Sequence, residues 1–237
     1  MLPLRPPFRG RNPVPGDRTP GTVRPLFDLE TTALARRLLS YGLYVVNPDG
    51  SRCGGVIVET EAYLADDEAS HSYRGRTARN ASMFLPAGHV YVYRSYGIHW
   101  CVNVVTAAEG IGEAVLLRAL EPRRNVEKMH QRRGIPVPPP GGRLDRRLTN
   151  GPGKLCQALG ISAAFDGCPL EVWDEDSEQV LAEQMNSIPV AMHPQLALIR
   201  EDTDTEQEII VGPRVGITRA VERPLRFRRS GNRWTGR

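Results

Sequence analysis

The sequence predicts an α+β fold in a single domain. Helical and strand patterns mix along the chain without the regular β-α-β alternation of a doubly wound sheet. The last third reads largely as strands. No internal repeat and no clean linker divides the chain, and a hydrophobic content of 40% over 237 residues is enough for a real core.

The elements follow in order. Residues 1–24 carry many Pro, Arg and Gly without a hydrophobic period and read as a flexible basic arm, leaving 25–237 as the domain. Glu30 to Leu43 reads as a helix, with Ala33, Leu34, Leu38 and Leu39 on roughly one face and Asp28 or Thr31 placed to cap its start. Tyr44 to Val46 is a short strand, Asn47-Pro48-Asp49-Gly50 a turn, and the next strand begins at Cys53. Asp66 to Ala81 is polar and reads as loop with some helix. A hairpin spans Val90 to Val105, and a strand covers Glu113 to Leu120. Gly134 to Arg143 is a loop too rich in Pro and Gly to pack. A helix runs from Pro152 through Leu159. Strands are expected at Leu170–Trp173, Ile209–Val211, Val215–Thr218 and Leu225–Phe227.

Composition narrows the function. A net charge of +4 is compatible with a nucleic-acid partner without being diagnostic. The four cysteines form no C-x-x-C pair, which argues against structural zinc and for free thiols in a reducing cytoplasm. No apolar run is long enough to span a bilayer, and the N-terminal segment lacks the apolar core of an export signal. A cytoplasmic protein is therefore expected, with no membrane partner.

The chemistry concentrates in three places. In Val58-Glu59-Thr60-Glu61-Ala62-Tyr63, strand alternation sends Ile57, Glu59, Glu61 and Tyr63 to one face. Two acids there are costly unless solvated, paired or used, and a desolvated one can accept a proton near neutral pH. Solvated glutamates on a sheet edge are the competing reading. Tyr91 and Tyr93 share a face of the hairpin's first strand, while Tyr96-Gly97 falls at its turn. An exposed ring on a basic protein suggests a wedge between bases; a ring folded back on the protein explains the position equally well. Arg118 lies between Leu116 and Leu120 on one strand face and needs an acceptor, with Glu61, Glu113 and Glu121 as candidates. Glu59, Glu61 and His71 lack the spacing of a metal site, and no nucleophile-elbow, Walker-type or zinc-deaminase motif occurs. Gly151-Pro152-Gly153-Lys154 opens a helix whose free N–H groups and Lys154 could hold a phosphate.

Together these segments resemble the alkyladenine (3-methyladenine, methylpurine) DNA glycosylase family. The matching stretches run collinearly from about Leu26 to Trp234: Val58 to Leu64, Asp67 to Ser72, Arg79-Asn80, Met83-Phe84, Tyr91 to Tyr93, Tyr96-Gly97, Asn103, Leu116 to Pro122, Gly151 to Leu159, Pro213 to Ile217 and Pro224 to Phe227. The resemblance implies a curved antiparallel sheet surrounded by helices, with a protruding β-hairpin. It implies a monofunctional enzyme that flips alkylated or deaminated purines out of duplex DNA and hydrolyses the N-glycosidic bond, leaving an abasic site. The substrate class is that of 3-methyladenine, 7-methylguanine, hypoxanthine and ethenoadenine.

By the same resemblance Glu61 is the base that activates water, helped by Arg118 and the backbone carbonyl of Val215. Tyr96 is the wedge. Tyr63 and Tyr93 sandwich the base, with His71 on one side and Asn103 crowding its minor-groove edge. Arg79, Asn80 and Lys154 are candidates for the DNA backbone, as are the basic arm and the arginines 226, 228, 229, 233 and 237. No metal or cofactor is expected, and the protein is expected to act as a monomer, at the nucleoid of a bacterium or in a eukaryotic nucleus. Ile98 and His99-Trp100 lie where the family varies. A binding module on a similar fold, as in a formyltransferase C-terminal domain, is the alternative; it has no need of a buried acid beside an arginine.

Overall fold

A computed structural model describes residues 24–173, 194–201 and 208–236. The arm lies outside these residues except for Arg24, which opens a one-turn helix α1 (Arg24–Phe27). The remaining helices are α2 (Thr31–Arg37), α3 (Val126–Arg133) and α4 (Pro152–Leu159), with short 3-10 turns between elements. Among the described residues nine strands follow in order: β1 (Tyr41–Val46), β2 (Arg52–Tyr63), β3 (Val90–Ser95), β4 (His99–Val105), β5 (Ala114–Arg124), β6 (Glu171–Trp173), β7 (Gln195–Arg200), β8 (Ile209–Gly212) and β9 (Arg226–Arg229). They form one curled sheet in the order β3-β4-β5-β2-β1-β7-β6, and β9 joins it through β2 and carries β8. The α+β reading holds. All the pairings are antiparallel except β6 with β7, which makes the sheet mixed.

β2 organises the molecule. One edge pairs with β5 along nearly its whole length. The other edge is shared: β1 takes Arg52 to Val56, and β9 takes Glu59 to Glu61. Between these partners the β2–β5 register slips, once between Ile57 and Glu59 and again between Glu59 and Thr60. Such a bulge bends a strand and sharpens its twist. The slip therefore sits where the sheet changes partner and where the two glutamates lie.

Apolar faces bury the sheet's inner side. Leu34, Ala35 and Leu38 join Ile57, Val58, Leu117 and Leu120 in one core with Leu155 and Leu159 of α4. α2 is further tied to β2 by the Thr60 hydroxyl, which donates to the Ala35 carbonyl at 2.8 Å.

Several elements depart from expectation. The first helix ends at Arg37, passes through a 3-10 turn and gives way to β1 at Tyr41. Neither Asp28 nor Thr31 caps it: Glu30 occupies the cap without a side-chain bond, and the Thr31 hydroxyl donates to Glu113 at 2.5 Å. α3 and β7 were not foreseen. Val215–Thr218 is loop, because Gly216 turns into the left-handed region (φ 78). The hairpin, the 47–50 turn, the loop at 134–143 and α4 fall where the sequence places them.

Candidate active site

A cavity of about 540 Å³ is enclosed by the end of β2, the turns after it, the β3–β4 hairpin, Leu116 and Arg118 of β5, Pro152 at the start of α4 and the loop 215–219. Its walls are aromatic. Tyr91 and Tyr93 are stacked, their centroids 5.5 Å apart, because residues two apart on β3 share a face. His71 meets Tyr93 edge-on at 4.4 Å and shares a 2.9 Å hydrogen bond between its Nδ1 and the Tyr91 hydroxyl. The imidazole packs among these rings although the residue as a whole is exposed. That desolvation, and then the charge of Arg79, lower its pKa, so His71 is neutral at physiological pH. Tyr63 forms another wall and lies under Arg214, whose guanidinium carbon is 4.6 Å from the ring centroid.

Glu61 sits behind the cavity wall, fully buried, as is Glu59, and bonds to Tyr63, Arg118 and Val215, which line the cavity. The solvated-edge alternative is therefore excluded. Glu61 Oε1 accepts the Val215 backbone N–H at 2.8 Å. Its Oε2 accepts the Tyr63 hydroxyl at 3.0 Å and lies 3.2 Å from an Arg118 nitrogen. Burial pushes the Glu61 pKa up; Arg118, the Val215 amide and Tyr63 offset only part of this. Glu59 is also buried, yet Arg118, the Gly236 amide and Arg226 outweigh burial and hold its pKa below the usual carboxylate value. Two acids two residues apart are thus driven in opposite directions, the pattern by which enzymes divide proton-transfer roles.

Arg118 is buried as expected, but its Nε hydrogen bond goes to Glu59 at 2.8 Å, a partner the sequence reading did not name. The other candidates are occupied elsewhere: Glu113 accepts from Thr31 and the Ala65 amide, and Glu121 pairs with Arg123 and Asn232. A second missed pair is Asp67 with Arg214, whose side chains are fully buried. Arg214 also donates to the Ala62 carbonyl at 3.1 Å. This pair pins the loop that delivers the Val215 amide to Glu61. Asp66-Asp67-Glu68 marked an acidic stretch, but nothing local pointed to a partner 147 positions away.

Asn103 is buried beside the cavity and gives its amide to the Tyr91 carbonyl at 3.0 Å. The hairpin tip stands free. Tyr96 (φ 49) and Gly97 (φ 69) both take the left-handed turn conformation, closed by the Ile98 amide donating to the Ser95 carbonyl at 3.0 Å. Tyr96 is 86% exposed and Ile98 67%, so the alternative of a ring folded back is excluded. Beside the hairpin's turn, a Cβ added to Gly153 would come within 2.8 Å of His99, so glycine lets the start of α4 close on the first residue of β4.

The backbone candidates divide. Arg79 lines the cavity and reaches the Arg94 carbonyl at 3.3 Å. Lys154 is half-buried outside the lining and donates to Asn150 at 2.9 Å; burial, and then the charges of Arg133, Arg146 and Arg147, lower its pKa. Asn80 is buried, and its amide is spent on Thr77 and the carbonyls of His71 and Gly75, so it staples the loop carrying His71. Arg226 and Arg229 are buried too, bonded to Glu59 and the Leu39 carbonyl, because β9 is an internal strand at this end of the sheet. Phosphate contact is not their role. Arg237 lies outside the described residues.

A dry carboxylate under ring-lined walls, on a curled sheet with a free aromatic hairpin tip, fits an enzyme that removes bases from DNA: the class is a DNA glycosylase. The chain belongs to the methylpurine-DNA glycosylase (MPG) family, whose model matches residues 25–233. A relative from Rhodopseudomonas palustris strain HaA2 is 45% identical over 94% of this chain and 93% of its own. One from Methanoculleus marisnigri is 43% identical over 89% of this chain and 96% of its own. One from Rhizobium meliloti is 44% identical over 79% and 83%. Each is named as a provisional 3-methyladenine DNA glycosylase. The protein is thus a monofunctional DNA glycosylase, a hydrolase of N-glycosyl bonds.

Proposed function

We propose that this glycosylase excises alkylated or deaminated purines from double-stranded DNA, and that Glu61 activates the attacking water. The observation that carries the reading is Glu61 itself, buried directly behind the cavity lining and held by three residues of that lining, through the Arg118 guanidinium, the Val215 amide and the Tyr63 hydroxyl. The target bond is covered in a duplex, so the nucleotide is extruded at a cost of a few kcal/mol, least for damaged or mispaired bases. Tyr96 fills the gap. Stacking on Tyr63 and Tyr93 returns roughly 1–3 kcal/mol per base. His71 borders the base, and Asn103 crowds the edge on which guanine carries its amino group. The proximity of Arg79 to the cavity suits a flanking phosphate.

Chemistry then needs little more. The C1′–N9 bond breaks with both electrons leaving on the purine, and positive charge grows on the sugar. The Glu61 carboxylate stabilises that charge and accepts a proton as the water oxygen bonds to C1′. An N-alkylated purine is already cationic and departs neutral; hypoxanthine departs more readily once protonated. No lysine lines the cavity, which accords with hydrolysis rather than a Schiff-base path.

Single-turnover base release tests the reading, with duplexes carrying hypoxanthine, ethenoadenine or a methylated purine, in EDTA. Wild type is expected to release bases and Glu61→Gln to bind DNA but lose roughly 10²–10⁴-fold in rate, the usual worth of a general base. Equal release by both proteins would show that Glu61 is wrongly assigned. Binding by wild type with no release from any lesion would refute purine excision.

A further inference from the structure

We propose that Glu59 is a positioning residue for the reaction: a second carboxylate that stays ionised and divides Arg118 between itself and Glu61. The proposal rests on the reading of Glu61 as the base. One planar guanidinium bridges two acids, with Nε 2.8 Å from Glu59 Oε1 and Nη1 3.2 Å from Glu61 Oε2. Glu59 Oε1 also accepts Arg226 Nε at 2.8 Å, and its other oxygen accepts the Gly236 amide. Donors from β5, β9 and the segment after β9 thus converge on one buried acid two residues before Glu61 on the same strand. So many charge-assisted bonds on a group outside the chemistry call for a purpose.

The purpose follows from the balance of charge. A carboxylate that owned Arg118 outright would be held tightly ionised, and a tightly held carboxylate is a weak base. Glu59 draws the guanidinium off, and its own charge disfavours a second full negative charge beside it. Arg226 works the other way, because it neutralises Glu59. The other groups facing Glu61 are Tyr63 on the same strand, Cys101 on β4, and Arg214 on the loop, which acts through Tyr63. None of these joins the two acids. Glu59 exchanges no proton in the reaction: the water's proton goes to Glu61.

The test is the pH profile of single-turnover release from a duplex carrying 7-methylguanine. Its leaving group is already cationic, so the ascending limb reports the base. Full-length wild type, Glu59→Gln, Arg226→Met and Glu61→Gln are compared, with DNA affinity measured in parallel. Glu59→Gln leaves Arg118 undivided; its limb is expected to move to lower pH, with a plateau lowered about tenfold or more by the weaker base. Arg226→Met removes a cation and is expected to move the limb to higher pH. Opposite displacements with binding retained support the proposal. Unmoved limbs beside an inactive Glu61→Gln would overturn it and leave the base assignment standing. A fully active Glu61→Gln would overturn both. If Glu59→Gln does not fold, the direction of the Arg226→Met limb decides alone.

Discussion

Glu61 is pulled in two directions: burial favours its proton, and Arg118 favours its charge. Burial prevails, so Glu61, the proposed base, ionises above its ordinary value. A base works when deprotonated. Release of a cationic purine by wild type should therefore rise with pH through a limb above the ordinary glutamate value of 4.5, read from single-turnover rates. The Asp67–Arg214 pair makes a second prediction. Asp67→Asn leaves a buried guanidinium without its counter-charge, a loss of about 3–5 kcal/mol. Melting temperature and base release should fall together, because the loop that brings the Val215 amide to Glu61 loses its anchor. The two glutamates could be read from the sequence because strand periodicity is local. Their division of labour could not, since the guanidiniums that decide it come from β5 and β9.

The hairpin separates function from stability. Tyr96 is almost fully exposed, so Tyr96→Ser should change stability by no more than about 0.5 kcal/mol. It should nonetheless slow base release from a paired duplex more than from a mismatched one, where extrusion costs less. A melting curve and single-turnover rates on the two duplexes check this. The hairpin was legible because Tyr-Gly turn chemistry and alternation both lie within sixteen residues. α2 reads too long in the sequence because Leu38, Leu39 and Leu43 continue its apolar spacing past Ser40 and Gly42, which stand at the junction with β1. α3 escaped because only Met129 and His130 of its eight residues are buried, too few to show a period. β7 is buried along Leu196 to Ile199 between β1 and β6, which erases the alternation that marks a half-exposed strand. Of the basic residues, Arg226 and Arg229 are buried rather than exposed, because charge alone does not reveal that a strand is internal.

For the whole molecule, acid should be destabilising. Glu59 and Asp67 have folded pKa values below their ordinary 4.5 and 3.8. Groups shifted this way stabilise the fold above their unfolded pKa, and the contribution is lost as pH falls through the folded value. Glu61, shifted upward, contributes the opposite sign: protonating it relieves the fold as pH falls. The melting temperature should hold or rise slightly as Glu61 protonates, then drop steeply below about pH 4 as the paired acids are neutralised. Salt probes the surface. Affinity for DNA should decline with ionic strength, and Lys154→Ala should reduce the slope of log affinity against log salt by about one if that lysine meets a phosphate. Asn80→Ala should act instead through the His71 loop, with the slope unchanged.

The two-partner edge of β2 has a consequence for how activity is born. Glu59 waits for an arginine 167 positions later, and Glu61 for an amide 154 positions later. Contacts between such distant parts of a chain form slowly. A polypeptide emerging from the ribosome can build β1, β2, the hairpin and β5 well before Arg214 and Arg226 exist. It then has the exposed Tyr96 tip and the stacked tyrosines of the hairpin, but not the bonds that hold Glu59 and Glu61 from the C-terminal side. On the role proposed for Glu61, the order of synthesis therefore withholds base release until nearly the entire domain has been made, so an unfinished chain that meets DNA frees no base from it.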